Sequence, residues 1–196
     1  PRWYGSKAPI FCSGLREIDA VLGNDEKLIQ KMIHAAEDLN PDLMALVGSP
    51  VPMVIGSDMQ GIAEELEART GIPCLGFDTT GTAYYDRGVA MATISLLKRF
   101  TPKLDKIPGT VNIVGASPMD FGHGDNLEDV KQLIVEAGYE ITACLSMGYT
   151  MEQLKKASSA AVNLAVSRAG YKIAEYMKNR YGIPYLCGLP VGTEAG

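Results

Sequence analysis

The residues best able to hold a metal in this chain of 196 are four cysteines and two histidines. Cys12, Cys74, Cys144 and Cys187 stand far apart with no C-x-x-C pair, so neither a zinc ribbon nor a disulfide framework is expected. Cys12 follows an apolar run and Cys187 closes another, and these two are the candidate ligands for iron or sulfur. Cys74 and Cys144 lie inside apolar segments and read as small core residues. His34 falls on a helical pattern and reads as a surface or boundary residue. His123 lies in a glycine-rich stretch, where it is a candidate proton donor or ligand set against the plainer reading of a solvated loop.

A second source of chemistry is backbone N–H and hydroxyl groups where strands run into helices, since such turns cradle anions and let a ligand approach closely. Four stretches have that character: GSPVP (48–52), FDTTGT (77–82), GASPMDFGHGDN (115–126) and GLPVGT (188–193). The third is longer than an ordinary connection. Ser49, Thr79, Gly81, Thr82, Gly115, Ser117, His123, Gly192 and Thr193 are the candidate cofactor-binding residues. Taken singly, each loop also reads as a plain strand-to-helix turn. The usual signatures fail: no Walker P-loop and no G-x-S-x-G occur, GHGDNL lacks the third glycine of a dinucleotide fingerprint, and DFG at 120–122 has no other kinase motif around it.

Helices and strands must alternate to position these loops. Apolar residues recur at helical spacing over 28–39, and 43–47 reads as a buried strand. Ser57-x-x-Gln60 predicts a capping box that opens a helix reaching Arg69, with Gly71 as its stop. Strands are expected at 72–77, 111–114, 140–145, 160–166 and 183–186. Helices are expected at 82–100, from Asp125-x-x-Glu128 to Gly138, from Thr150-x-x-Gln153, and at 167–181. Such alternation predicts an α/β fold with parallel sheets flanked by helices. The stretch 101–109, with two prolines and alternating charge, predicts a linker. The expected domains are therefore 1–100, incomplete at its N-terminus, and 110–196, each Rossmann-like.

A repeat supports two related halves. Displacing the chain by 111 positions aligns 62–82 with 173–193 at ten identities in 21 positions without a gap. Among them are Arg69 with Arg180, Gly71 with Gly182, Pro73 with Pro184, and Gly81-Thr82 with Gly192-Thr193. A glycine after a helix is common to all α/β units; the matched prolines and the shared Gly-Thr ending are not. The first Gly-Thr leads into a helix and the second meets the end of the chain, so a cut at a domain boundary is expected.

Hydrophobic residues make up 46% and charged residues 21%, which fits a packed core. A net charge of −5 without basic runs argues against a nucleic-acid partner. The longest nearly apolar stretch, 43–56, is interrupted by Pro50 and Pro52 and is too short to cross a membrane. Scattered cysteines and the lack of an export signal predict a cytoplasmic location. Pro1 opens without an initiator Met, so a piece of a longer chain is expected.

The order of motifs resembles a known family. LREIDAVLGNDEKLIQKMI (15–33), IGSDMQGIAEEL (55–66), GIPCLGFDTTGT (71–82), VNIVGASP (111–118) and the stretch from MGYTMEQL to NRYGIPY (147–185) are similar to the nitrogenase component 1 type oxidoreductases. That family includes the nitrogenase iron–molybdenum protein subunits, their cofactor-assembly scaffold homologues and the dark-operative protochlorophyllide reductase subunits. The resemblance implies subunits of three Rossmann-like domains, of which part of the first and most of the second are present. It implies metal–sulfur clusters, a related subunit as oligomeric partner, and an iron–sulfur reductase protein that delivers electrons.

The departures fall at the ligands. Where the resemblance places a cluster cysteine before the I-G-[DE]-D motif, Ser49 or Pro50 stands. Where it places the cofactor cysteine after the strand at 163–166, Val166 or Ser167 stands. Iron requires a soft thiolate, and neither Ser nor Pro replaces one well. A divergent reductase-like subunit is therefore expected, using Cys12 or Cys187 differently or borrowing ligands from its partner, and inactive as the fragment alone. The alternatives are a non-catalytic scaffold for a metal cofactor and a small-ligand binding module.

Overall fold

In a computed structural model the chain forms two compact units, divided between Tyr84 and Tyr85. The structure describes residues 8–14, 25–122 and 125–189.

The first unit is built on two strands. Helix α1 (Asp25–Leu39) buries Ile29 and Ala36. Strand β1 (Met44–Val47) follows, with Met44 and Leu46 inside and Ala45 and Val47 outside, so one face of this strand is covered. After the short helix α2 (Pro50–Val54) comes α3 (Met59–Thr70), which presents Met59, Ile62, Ala63 and Leu66 to the core. Strand β2 (Cys74–Phe77) lies parallel to β1, with Met44 opposite Cys74 and Val47 opposite Phe77. These residues form one apolar cluster in which Leu66 is fully buried. Burial of a leucine of this kind stabilises by about 1.5–3 kcal/mol. On the outside, Arg69 reaches both carboxylate oxygens of Glu26 at 2.8 Å and fastens α3 to α1. That forked contact holds the Glu26 carboxyl down at about 2.

The expected capping box at Ser57 is not what starts α3. Asp58 is the N-cap, and its Oδ1 accepts from the Gly61 N–H at 2.9 Å. Gln60 donates instead to Asp78, which also accepts the Met59 N–H.

The second unit carries a four-stranded parallel sheet in the order β4-β3-β5-β6. Helix α4 (Tyr85–Phe100) leads into β3 (Ile107–Val114); the turn α5 (Pro118–Phe121) and helix α6 (Asp125–Glu136) lead into β4 (Glu140–Leu145). Helix α7 (Met151–Lys156) and a 3₁₀ turn precede β5 (Ala160–Ala165), and α8 (Arg168–Tyr181) precedes β6 (Tyr185–Cys187). Side chains alternate across the sheet. Val114, Leu145 and Ala165 pack with Leu97 of α4, Leu154 of α7 and Ile173 and Met177 of α8. Ile113 and Cys144 face the other way, toward Leu127 and Val130 of α6. The result is helix on both faces of a parallel sheet, as the alternating sequence pattern predicts. Thr150 opens α7 with the predicted capping box, bonded reciprocally with Gln153.

The division between units differs from the expectation that residues 1–100 form one domain and 101–109 a linker. Helix α4 packs on α8 and α7. The Tyr181 hydroxyl donates to the carbonyls of Leu97 and Thr101 at 3.1 Å. Thr101 donates to Leu154 O and Ser158 to Pro102 O, so the proline-rich stretch is tied into the second unit, and β3 begins inside it at Ile107.

The repeat has a structural counterpart. Both α3 and α8 end on a left-handed glycine, Gly71 at φ 72° and Gly182 at φ 72°, a conformation that costs other residues. In each half the matched proline carbonyl opens the strand pairing: Met44 N–H donates to Pro73 O, and Asn163 N–H to Pro184 O, both at 2.9 Å. A proline has no N–H to leave unpaired there, which accounts for its recurrence.

Candidate functional site

In parallel sheets the carboxyl ends of the strands are where loops with free N–H groups gather. In the first unit that edge joins the ends of β1 and β2. Gly48 N–H donates to Phe77 O at 2.8 Å, and Thr79 Oγ1 donates back to Gly48 O at 2.6 Å. Thr80 and Thr82 share a hydroxyl contact of 2.7 Å, and Gly81 lies against the Pro50 ring. Ser49 is the exposed N-cap residue of α2, and its side chain makes no cap bond. Ser49, Thr79, Gly81 and Thr82 therefore lie along one rim. Asp78, which the sequence reading passed over, anchors that rim to the start of α3.

In the second unit the sheet order reverses between β3 and β5, because β3 connects outward to β4 while β5 and β6 lie on its other side. This reversal is the switch point at which α/β sheets commonly take ligands. Gly115 and Ser117 follow β3 there, and Ser167 follows β5. Ser117 is buried and donates to Asp120 Oδ2 at 2.7 Å; the Tyr85 hydroxyl donates to the other oxygen of Asp120. That carboxylate and its hydrogen bond push the Tyr85 phenol upward, so it stays a donor. Asp86 accepts from Arg168 Nε at 3.0 Å, while its Oδ1 is buried with no partner. Three elements thus converge: the loop after β3, the first turn of α4 and the first turn of α8. Tyr85, Asp86, Asp120 and Arg168 were missed by sequence reasoning. The local signal was an acidic residue in the first turn of a helix, at Asp86 and again at Asp120.

His123, Gly192 and Thr193 lie outside the described residues. Cys12 and Cys187 are both exposed free thiols and belong to different units. Cys74 and Cys144 are buried, and burial pushes both thiols up to about 11, so they carry their protons at neutral pH.

The arrangement offers hydroxyls, carboxylates, a guanidinium and backbone amides: a hydrogen-bonding edge. A metal–sulfur cluster does not fit it. Among the described residues no three His, Cys, Asp or Glu side chains are placed to hold a metal ion. Where the resemblance implies a cofactor cysteine, Val166 is buried, and Ser167 Oγ donates to Gly115 O at 2.6 Å and accepts from Gly170 N–H at 3.3 Å. Among the described residues no helix is long and apolar enough to cross a membrane.

Comparison with known proteins agrees with this architecture. The chain is 29% identical over 184 residues to the nitrogenase iron-molybdenum cofactor biosynthesis protein NifE of Rhodobacter capsulatus, covering 91% of this chain and 38% of that protein. It is 23% identical over 182 residues to a subunit of the light-independent protochlorophyllide reductase of Acaryochloris marina, covering 87% and 36%. A solved structure of nitrogenase Cp1 at pH 6.5 superposes with a TM-score of 0.79 at 25% identity, covering 94% of this chain and 36% of that one. The chain thus spans a little over a third of the length of these relatives. The family model described as nitrogenase component 1 type oxidoreductase matches residues 2–195, and the chain belongs to that family.

Proposed function

We propose that this chain is a segment of a nitrogenase-like oxidoreductase subunit. The subunit pairs with a related subunit and reduces its substrate with electrons from an ATP-dependent iron–sulfur partner. The observation that carries this reading is the family match spanning residues 2–195, on a sheet with the doubly wound order. Each unit has its own carboxyl-edge rim of hydrogen-bonding groups: Thr79 and the Thr80–Thr82 pair in the first, Ser117, Asp120 and Arg168 in the second. Each rim, taken by itself, can hold and orient a ligand group by hydrogen bonds. The cluster of the whole protein is held by thiolates other than those at the positions of Ser49, Pro50, Val166 and Ser167, from the rest of the subunit or from its partner.

A second reading is a scaffold that carries or matures a metal cofactor. The 29% identity to a cofactor biosynthesis protein favours it. The two separate in one preparation. The whole protein, purified without oxygen, is assayed for iron and sulfide and then mixed with the reduced iron–sulfur partner and MgATP. Electron uptake followed by substrate turnover supports the oxidoreductase. Cofactor transfer to a second protein without turnover supports the scaffold and ends the oxidoreductase reading.

A further inference from the structure

We infer that the end of β5, where family resemblance calls for a cofactor thiolate, has become in this chain a hydroxyl-dependent helix dock that takes no iron. Both functions of the Ser167 hydroxyl are in use. Its proton goes to Gly115 O at 2.6 Å, and its oxygen accepts the Gly170 N–H at 3.3 Å as the N-cap of α8. The space beside it is filled by backbone. A Cβ on Gly115 would overlap the Gly170 nitrogen and Cα and stand 2.8 Å from Ser167 Oγ; a Cβ on Gly170 would overlap Val114 O. Val166 N–H donates to Val114 O at 3.1 Å, which closes the seam between β3 and β5. An iron at Ser167 would have to displace Gly115 O and open that seam, and the next side chain is the Arg168 cation paired with Asp86.

The inference goes beyond the proposed function and fails separately from it, because an oxidoreductase with its cluster elsewhere satisfies the one and a Ser167-bound iron overturns only the other. The test uses the whole protein and its Ser167→Ala, Ser167→Cys and Ser167→Thr variants, each exposed to ferrous iron and sulfide without oxygen. Thr keeps a hydroxyl donor and cap acceptor; Ala has neither, and a thiol caps poorly. Expected are melting temperatures lowered by roughly 2–8 °C for Ala and Cys but held within about 2 °C for Thr. Iron content should equal that of the unsubstituted protein in all three. Hydrogen exchange of the unsubstituted protein should show Gly170 N–H equally protected with and without iron. Iron lost in Ser167→Ala, extra iron with sulfur-to-iron absorption in Ser167→Cys, or Gly170 deprotected by iron would each overturn the inference.

Discussion

The side-chain amide of Asn112 donates to Asn163 Oδ1 at 2.9 Å, from the middle of β3 to the residue paired with it on β5, and both side chains are fully buried. Asn112 also donates to Ala157 O at 2.7 Å. A polar pair in the centre of a sheet fixes register, because a slip of one residue would strand both amides. Replacing Asn163 alone by leucine should cost about 1–3 kcal/mol in urea unfolding, since it leaves the Asn112 amide short of an acceptor. Replacing both by leucine should cost less than the two single changes summed. Additive losses would show that the pair is not coupled.

Glycine at 115 is demanded by contact as well as by its φ of 84°. Gly138, at φ 86°, has nothing within 4 Å of where a methyl group would stand. Alanine at 138 should therefore cost only the left-handed backbone penalty, about 1–2 kcal/mol. Alanine at 115 should cost more than that, roughly 3 kcal/mol or above, because backbone must also move. Chemical denaturation of the two variants measures the gap, and equal losses would refute the tight seam.

Cysteine reactivity divides by burial. Cys12 and Cys187 are exposed and should react with a disulfide reagent at pH 8 at once, while Cys74 and Cys144 should wait for unfolding. The same burial sets a pH dependence. With Cys144 pushed from 9.0 to about 11, the folded state keeps a proton that the unfolded state has lost. Stability is thus whole below about pH 9 and falls between about pH 9 and 11. Cys144→Ala should lessen that alkaline decline in unfolding curves recorded across the range, leaving the share that Cys74 contributes. An unchanged slope would count against the buried thiol.

Arg168→Ala should destabilise by about 1–2 kcal/mol, because it leaves the buried Asp86 carboxylate without its cation, while the exposed guanidinium limits the loss. Adding Asp86→Asn should recover part of it. Thermal melts of the single and double variants read this directly, and a double variant less stable than Arg168→Ala would speak against the pairing.

Local signals were legible in the sequence wherever a few neighbouring residues decide the outcome. Gly71 and Gly182 stop helices through their own backbone, and the Thr150 box closes within four residues. Ser57 carried the same box pattern and lost to Asp58, because Asp78, 18 residues from Gln60, draws that amide away. Residues 101–109 have linker composition, yet Thr101 and Pro102 are bonded to partners more than fifty residues on, which no local pattern shows. Helical spacing in α4 announced an apolar face but not which sheet it would cover. The convergence at Asp120 joins Tyr85 to a loop 35 residues later and was invisible for the same reason. The family resemblance supplied the fold; the Ser167 contacts had to come from the structure.

Under the proposed function this chain is part of a subunit that accepts electrons from an iron–sulfur partner. The most direct measurement is stopped-flow oxidation of the reduced iron–sulfur partner, followed by its visible absorbance, on mixing with the whole protein and MgATP under argon. Rapid oxidation that requires both ATP and the protein is expected. A partner that stays reduced in the presence of folded, metal-replete protein and ATP would contradict it.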